Sequence, residues 1–374
     1  GAMLIAASTD LLLLFLGLEL MVLPGYLLAG YHKTDGYSTE GAIKYFLLGS
    51  FSSAIFLFGL AFVWGMTGST RIAEVAGHFA GGTGLSAGLA MGLAFMTTGV
   101  AFKIAAVPFH YWTPDAYQGS PTPVTGYLSV GPKVGAFALI LRLFVEALGP
   151  LRGDWLPVVV VLAAVTMTVG NLVALTQTNV KRMLAYSSIA HTGYMLVGLA
   201  AYAGASSPAV QQTGLQGLLF YGAAYSFMNL GAFAVIAAVQ RRAGVTSNLD
   251  TFAGLGRREP WLGALMLLFL LSLTGIPPLA GFFGKAYVIL AAVQTGGAVG
   301  VLAVIAVLNA AVAAFYYLRV VVYMYFRDPI GDAAVLRHSR LVWGGLAIAT
   351  VLTIGLGFIP GVLDIVGRAA LALG

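Results

Sequence analysis

The stretch Val107-Pro-Phe-His-Tyr-Trp-Thr-Pro-Asp115 places two prolines in a long apolar run, and it indicates the fold class of this chain. Proline removes a backbone donor and clashes with the preceding turn, so a helix that enters this stretch is expected to break. A second apolar run carries Gly275-Ile-Pro-Pro-Leu-Ala-Gly281 and is expected to break in the same way. In a membrane, loose backbone is tolerated only where it is buried in protein or lines a wet cavity. The two stretches therefore predict two broken transmembrane helices.

The composition is that of an integral membrane protein. The chain has 374 residues, of which 59% are hydrophobic and 9% are charged, and its mean hydropathy is +0.92. Soluble domains usually carry about 25% charged residues. The absence of cysteine excludes thiolate iron–sulfur ligation, disulfides and cysteine nucleophiles. The net charge of +6 is attributed to basic residues that orient membrane helices rather than to nucleic-acid binding, because no basic stripe with interleaved aromatic residues is present.

Apolar segments of about the length that a bilayer requires, roughly 20 residues, recur ten times along the chain. The predicted fold is therefore an all-α polytopic membrane protein with about ten transmembrane helices in one domain. The predicted segments are 10–30, 41–66, 85–118 (interrupted), 121–148, 155–176, 183–203, 215–240, 261–294 (interrupted), 298–325 and 341–359. Residues 1–8 are apolar but too short to span, and they are expected to be the end of a helix that begins earlier, as in an N-terminally truncated chain.

The basic residues of the connecting loops predict the orientation. Of the nineteen Lys and Arg residues, ten fall on the side of the first connection, three on the other side and six within segments. This asymmetry predicts that the first side is cytoplasmic. The ten residues are Lys33, Lys181, Arg182, Arg241, Arg242, Arg257, Arg258, Arg327, Arg337 and Arg340. The three on the opposite side are Arg71, Arg152 and Arg368.

Charged side chains inside the apolar segments indicate the function. Lys44, Lys103, Lys133, Lys285 and Glu19 lie within or at the edge of such runs. A charge at the bilayer centre costs roughly 2.5–3.5 kcal/mol on insertion scales, so a row of them is a functional hypothesis by default. Burial disfavours the charged form of a lysine and a nearby carboxylate favours it, so a buried lysine can exchange a proton with water. Arginine does not deprotonate in proteins. The row therefore predicts a proton path.

Individual members of the row have alternative interpretations. Glu19 lies nine residues into its segment, ~14 Å at 1.5 Å per residue, which is mid-depth in the membrane. Its partner must come from another helix. The alternative to a role in the proton path is a structural ion pair. Lys44 is either part of the path or an interfacial lysine that extends towards water. His191 shares a helix face with Ser187 and Tyr194, and the alternatives are a water-bridging stripe or interhelical hydrogen bonding.

The two broken segments are third and eighth in order, so they run in opposite directions. Such a pair is typical of an inverted repeat in a transporter. We expect residues 1–148 to contain most of the first repeat, 149–326 the second repeat and 341–374 a C-terminal helix. The scattered histidines give no metal-ligand spacing, and no dinucleotide fingerprint is present, so no cofactor or metal is expected in this chain.

Five stretches resemble the antiporter-like membrane subunits of respiratory complex I, the NADH-quinone oxidoreductase. They are Phe102-Lys-Ile-Ala-Ala-Val-Pro-Phe-His-Tyr-Trp-Thr-Pro-Asp-Ala-Tyr-Gln-Gly-Ser-Pro-Thr-Pro123, Leu16-Gly-Leu-Glu-Leu20, Ile43-Lys-Tyr-Phe-Leu-Leu-Gly49, Lys181-Arg-Met-Leu-Ala-Tyr-Ser-Ser-Ile-Ala-His191 and Gly281-Phe-Phe-Gly-Lys285. The resemblance covers essentially the whole chain in the right order. It implies a fold of fourteen helices with two inverted five-helix repeats, of which this chain would lack the first three helices and most of the fourth.

The resemblance also implies roles for the charged residues. Glu19 matches a glutamate at a subunit interface, and Lys44 matches a lysine near it. Lys103 and Lys285 match the lysines of the two broken helices. Two further matches are Lys133, a connecting lysine, and His110, a histidine that links Lys103 to Lys133.

The implied activity is outward proton pumping in the bacterial plasma (inner) membrane, driven by quinone reduction in neighbouring subunits. NADH, FMN, iron–sulfur clusters and quinone are expected in partner subunits, and the expected partners of this chain are other complex I membrane subunits, lipid, protons and water. The alternatives are a subunit of a multisubunit sodium/proton antiporter or of a membrane-bound hydrogenase, and a purely structural membrane spacer. The lysine row disfavours the spacer, because a spacer has no reason to bear its cost.

Overall fold

The regular structure of the chain is helical in every part that the computed structural model describes, which is residues 1–81, 85–240, 246–329, 339–358 and 360–371. The α-helices in those ranges are α1 (Ala2–Ala7), α2 (Leu11–Ala29), α3 (Gly36–Thr67), α4 (Ile72–Ala80), α5 (Ala87–Lys103), α6 (Trp112–Gly119), α7 (Thr122–Ile140), α8 (Arg152–Ala174), α9 (Val180–Gly204), α10 (Pro208–Val239), α11 (Leu255–Arg258), α12 (Pro260–Thr274), α13 (Ala280–Thr295), α14 (Gly297–Phe326), α15 (Arg340–Phe358) and α16 (Pro360–Leu371).

The predicted all-α membrane fold is confirmed. Each of the ten predicted segments is occupied by a helix or by the two halves of a broken one. Within the described ranges, seven helical stretches are long and apolar enough to cross a membrane, and the halves of the broken helices form shorter apolar helices. Four residues used in the predictions, Arg241, Arg242, Arg337 and Ile359, lie outside the described residues.

The first break separates α5, which ends at Lys103, from α6, which begins at Trp112. Side chains from neighbouring helices satisfy the loose backbone of the break. The indole of Trp112 donates to the carbonyl of Phe102 at 3.1 Å, the amide of Val107 donates to the Thr166 hydroxyl at 3.0 Å, and the Thr192 hydroxyl donates to the carbonyl of Ile104 at 2.8 Å. The break therefore meets the requirement that irregular backbone at membrane depth be buried and hydrogen-bonded.

The second break separates α12, which ends at Thr274, from α13, which begins at Ala280. Gly275 follows α12 with φ of +95°, a left-handed conformation that glycine adopts without steric cost. This glycine ends α12 at the position that the Gly-Ile-Pro-Pro stretch predicts.

Helix α9 lies at the centre of the molecule. Of its 25 residues, 22 are buried, and it packs against α8, α10, α13, α6 and α14. Glycines allow this close packing: a Cβ added at Gly193 would lie 2.6 Å from the backbone nitrogen of Met167, and one at Gly198 would lie 2.9 Å from the carbonyl oxygen of Gly214. The polar residues of α9 are therefore held in the interior, between the two broken helices.

Candidate functional site

Three of the predicted lysines are buried in the interior. Lys103, Lys133 and Lys285 are each no more than 6% exposed. Lys44 differs, because 42% of its side chain is exposed. The three buried ammonium groups are the starting points of the site, and each one has a different environment.

The ammonium of Lys103 lies beside Glu19. It donates to the Ser53 hydroxyl at 2.8 Å, and this hydroxyl donates to a Glu19 carboxylate oxygen at 2.5 Å. The Lys103 nitrogen is 3.8 Å from the same carboxylate oxygen, and it also lies 3.4 Å from the Tyr26 hydroxyl and from the Gly49 carbonyl. Helices α2, α3 and α5 thus meet at a carboxylate–hydroxyl–ammonium group near the first break.

Among the described residues, Lys103 and not Lys44 contacts the Glu19 carboxylate. On α3, Lys44 lies nine residues before Ser53, or ~13 Å along the helix at 1.5 Å per residue. The Lys44 ammonium instead pairs with Glu40 at 2.5 Å and with Asp115 at 2.7 Å. The reason is geometric, because α6 brings a carboxylate to the end of α3 where Lys44 lies.

The ammonium of Lys133 contacts only neutral oxygen atoms among the described residues. It donates to the Ser188 carbonyl and to the Ser188 hydroxyl, each at 2.6 Å. The Tyr225 hydroxyl donates to the same Ser188 oxygen at 2.8 Å, and the Lys133 nitrogen lies 5.5 Å from the centre of the Tyr225 ring. Lys133 is therefore solvated by the protein without being neutralised by a carboxylate.

The ammonium of Lys285 binds the end of the first half of its own broken helix. It donates to the carbonyls of Leu273 at 3.0 Å and Thr274 at 2.7 Å, the last two residues of α12. The C-terminus of a helix carries partial negative charge, so a cation there is favourable. The nitrogen also lies 4.9 Å from the centre of the Tyr194 ring.

His191 lies between the surroundings of Lys133 and those of Lys285. Its ring centre is 5.1 Å from that of Tyr225, above which Lys133 lies, and 6.0 Å from that of Tyr194, above which Lys285 lies. Its two nitrogens are hydrogen-bonded to hydroxyls on other helices: Nδ1 to Tyr221 at 2.7 Å and Nε2 to Tyr317 at 3.1 Å. A ring with two exchangeable nitrogens thus occupies the space between two lysines.

The link between Lys103 and Lys133 that the resemblance implies for His110 stays a prediction. The two residues Lys103 and His110 do not lie on one continuous helix, because α5 ends at Lys103. Among the described residues, His110 has no hydrogen bond to either lysine, and its buried Nδ1 has no partner. Thr192 connects the two regions instead: its hydroxyl hydrogen-bonds to the Ile104 carbonyl at 2.8 Å and to the Ser188 carbonyl at 3.2 Å.

The tyrosines that surround His191 were missed by sequence reasoning. Tyr221 and Tyr225 are four residues apart on α10 and fully buried, and Tyr317 on α14 hydrogen-bonds to both His191 and Ser187. The four-residue spacing, together with the polar character of tyrosine in an apolar segment, is a signal that could have found the α10 pair.

A charged cluster fixes α6 to two neighbouring helices. Asp115 on α6 pairs with Lys44 on α3 and, at 2.6 Å, with Arg182 on α9. Lys181, one of the basic residues predicted to lie in the loops, is buried and donates to the carbonyls of Gln118 and Ser120 at the C-terminus of α6. The cluster therefore holds the second half of the first broken helix in place.

Replacing Asp115 with asparagine is expected to lower the free energy of unfolding of this subunit by about 1–3 kcal/mol, because hydrogen bonds to two charged groups are weakened. The measurement is the release of this subunit from the assembled complex during a thermal ramp. As a matched control, Glu40→Gln removes only an exposed pair within α3 and should cost less than about 0.5 kcal/mol. Equal shifts for the two variants would contradict the assignment of the cluster to α6.

The comparisons with known proteins agree on one group. Residues 8–309 match the family described as "NADH:quinone oxidoreductase/Mrp antiporter, TM". The chain is 47% identical over 376 residues to NADH-quinone oxidoreductase subunit N 1 of Koribacter versatilis, covering 100% of this chain and 72% of that relative.

Two solved structures are similar over nearly the whole chain. A chain of respiratory complex I from Thermus thermophilus with bound aureothin is 36% identical with a TM-score of 0.80, covering 97% of this chain and 77% of that one. A chain of the membrane-bound sulfane sulfur reductase, an archaeal respiratory membrane complex, is 27% identical with a TM-score of 0.85, covering 100% and 73%.

Proposed function

This chain belongs to the family of NADH:quinone oxidoreductase and Mrp antiporter membrane subunits, and from that membership we propose that it is a proton-translocating subunit of an NADH-quinone oxidoreductase. Oxidation of NADH and reduction of quinone belong to partner subunits, which hold NADH, FMN, iron–sulfur clusters and quinone. The proposed contribution of this chain is the movement of protons across the bilayer. Its proposed location is the bacterial inner membrane, with the Lys- and Arg-rich loops in the cytoplasm.

The observation that carries the proposal is the environment of Lys133. Its charged form donates to two oxygens of Ser188, and a neutral amine at the same place can accept a hydrogen bond from the Ser188 hydroxyl. No carboxylate neutralises it among the described residues, so loss of its proton leaves no unpaired negative charge in the interior. Both protonation states are therefore compatible with the surrounding side chains, as a proton carrier requires.

The proposed relay has three parts. At one end, the Glu19–Ser53–Lys103 group can shift a proton between a carboxylate and an amine. In the middle, Lys133 passes a proton to the Ser188 hydroxyl while that hydroxyl gives its own proton to a water molecule. His191 then joins this region to Lys285 at the second break, because either ring nitrogen can release a proton while the other accepts one. We propose that water completes the steps that no side-chain hydrogen bond spans.

Replacing Lys103 with alanine tests the proposal in membranes that contain the assembled complex. We expect NADH-driven proton pumping to fall about tenfold or more, because a positioned proton-transfer group contributes 10²–10⁴-fold. The matched control is Lys33→Ala, which removes an exposed lysine outside the interior and should leave pumping within about twofold of wild type.

The outcomes of this experiment separate the candidate functions. Normal pumping by the Lys103→Ala complex would contradict the proposal and favour a structural spacer. Loss of sodium tolerance with intact NADH oxidation would favour the Mrp-type antiporter, which the same family includes.

A further inference from the structure

An apolar cavity of about 260 Å³ lies between α7, α9 and α10 and has Lys133 in its wall. Most of its lining consists of carbon atoms from residues such as Phe137, Met195 and Leu219. Val134, which also lines it, is 46% exposed on the outer face of α7, whereas Lys133 and Tyr225 are buried. The cavity therefore runs from the apolar outer face of the helices to one of the proposed proton carriers.

The Lys133 ammonium is electrostatically complementary to an anion in this cavity. Its described hydrogen bonds, both to Ser188, use two of its three protons. No carboxylate of the described residues pairs with it, so its third proton has no acceptor among them. A carboxylate that reached it would form a charge-assisted hydrogen bond, which is about twice as strong as a neutral one.

We propose that this cavity binds a long-chain fatty acid, with the carboxylate at Lys133 and the chain leaving past Val134 into the bilayer. The size of the cavity favours this ligand: a water molecule occupies about 30 Å³ in the liquid, so 260 Å³ holds about eight groups of that size. A carboxylate and the first methylenes fit this volume.

A bound fatty acid would regulate the relay, and this consequence rests on the proposed function. The carboxylate pairs with the Lys133 ammonium and holds it in its charged form, because an opposite charge stabilises the charged state. A lysine held in this way does not release its proton. Fatty acid binding is therefore expected to inhibit proton transfer at Lys133.

Gly222 offers a way to close the cavity without altering the relay. It lines the cavity, and a Cβ added there would meet no atom within 4 Å. A Gly222→Leu side chain is thus expected to occupy the cavity without displacing a neighbour, and leucine is also a better helix former than glycine. Gly65→Leu is the matched control, because an added Cβ at Gly65 on α3 also meets nothing within 4 Å and Gly65 does not line this cavity.

The test is photolabelling of the assembled complex in its membrane with a diazirine-bearing C16 carboxylic acid, followed by peptide mapping. We expect adducts on α7 and α10 near Val134 and Gly222, and about tenfold weaker labelling by the corresponding C16 alcohol, which corresponds to 1.4 kcal/mol. Gly222→Leu should reduce acid labelling by a similar factor, whereas Gly65→Leu should not, and basal NADH oxidation should stay within about twofold of wild type in both.

Equal labelling by acid and alcohol, labelling that Gly222→Leu does not change, or no adduct on α7 and α10 would each overturn the proposal. Labelling does not depend on pumping, so such a result would leave the proton-transfer function standing. Conversely, normal pumping by the Lys103→Ala complex would not affect the labelling result.

Discussion

Replacing Lys133 with alanine is expected to reduce proton pumping by the assembled complex about tenfold or more, because it removes the proton carrier between the two breaks. The Ser188 hydroxyl and carbonyl would then lose their cationic partner, and the Tyr225 ring would lose the ammonium that lies over it. The measurement is proton uptake into inverted membrane vesicles on addition of NADH, normalised to the amount of assembled complex.

The Lys133→Arg variant separates proton exchange by this residue from the effect of its positive charge. Arginine keeps the positive charge and can still donate to the Ser188 oxygens, but it does not deprotonate in proteins. If Lys133 acts by exchanging a proton, the arginine variant should also pump about tenfold less than wild type. Wild-type pumping by Lys133→Arg would show that only the charge matters, and it would contradict a relay through this residue.

Replacing His191 with leucine is expected to have the second largest effect, a loss of pumping of about tenfold, because the side chain that lies between Lys133 and Lys285 is removed. It would also leave the Tyr221 and Tyr317 hydroxyls without their common partner. The same vesicle assay measures the loss, with assembly of the complex checked in parallel.

His110→Leu is the matched comparison for this prediction, since His110 is also a buried histidine. It has no hydrogen bond to Lys103 or Lys133 among the described residues, so its replacement is expected to change pumping by less than about twofold. A larger loss for His110→Leu than for His191→Leu would mean that the link between the lysines follows the family resemblance rather than the contacts seen here.

The helices and their breaks were predictable because their signals are local. A long apolar run or a proline determines the conformation of the residues next to it. Helices α5 and α12 therefore end before Pro108 and Pro277, respectively, close to the predicted positions. Lysines in such runs are equally visible, and the structure buries Lys103, Lys133 and Lys285. Helix α4 was not predicted, since it is only nine residues long and lies outside the apolar segments.

The partners of the charged residues were not predictable, because they are set by packing between helices that are distant in sequence. Glu19 and Lys103 are far apart along the chain, and only the packing of α2, α3 and α5 brings them to 3.8 Å. The same holds for Asp115, whose two cationic partners lie on α3 and α9. No periodicity within one helix specifies such a contact.

The proposed relay requires a continuous polar path through the interior that joins Lys103, Lys133 and Lys285. An electron cryo-microscopy map of the assembled complex in lipid, at a resolution that shows ordered water, would reveal this path. We predict waters that connect the Lys103 ammonium to Ser188 near Thr192, and the His191 ring to the Lys285 ammonium. A map in which any two neighbouring lysines are separated by tightly packed apolar side chains, with no water between them, would contradict the relay.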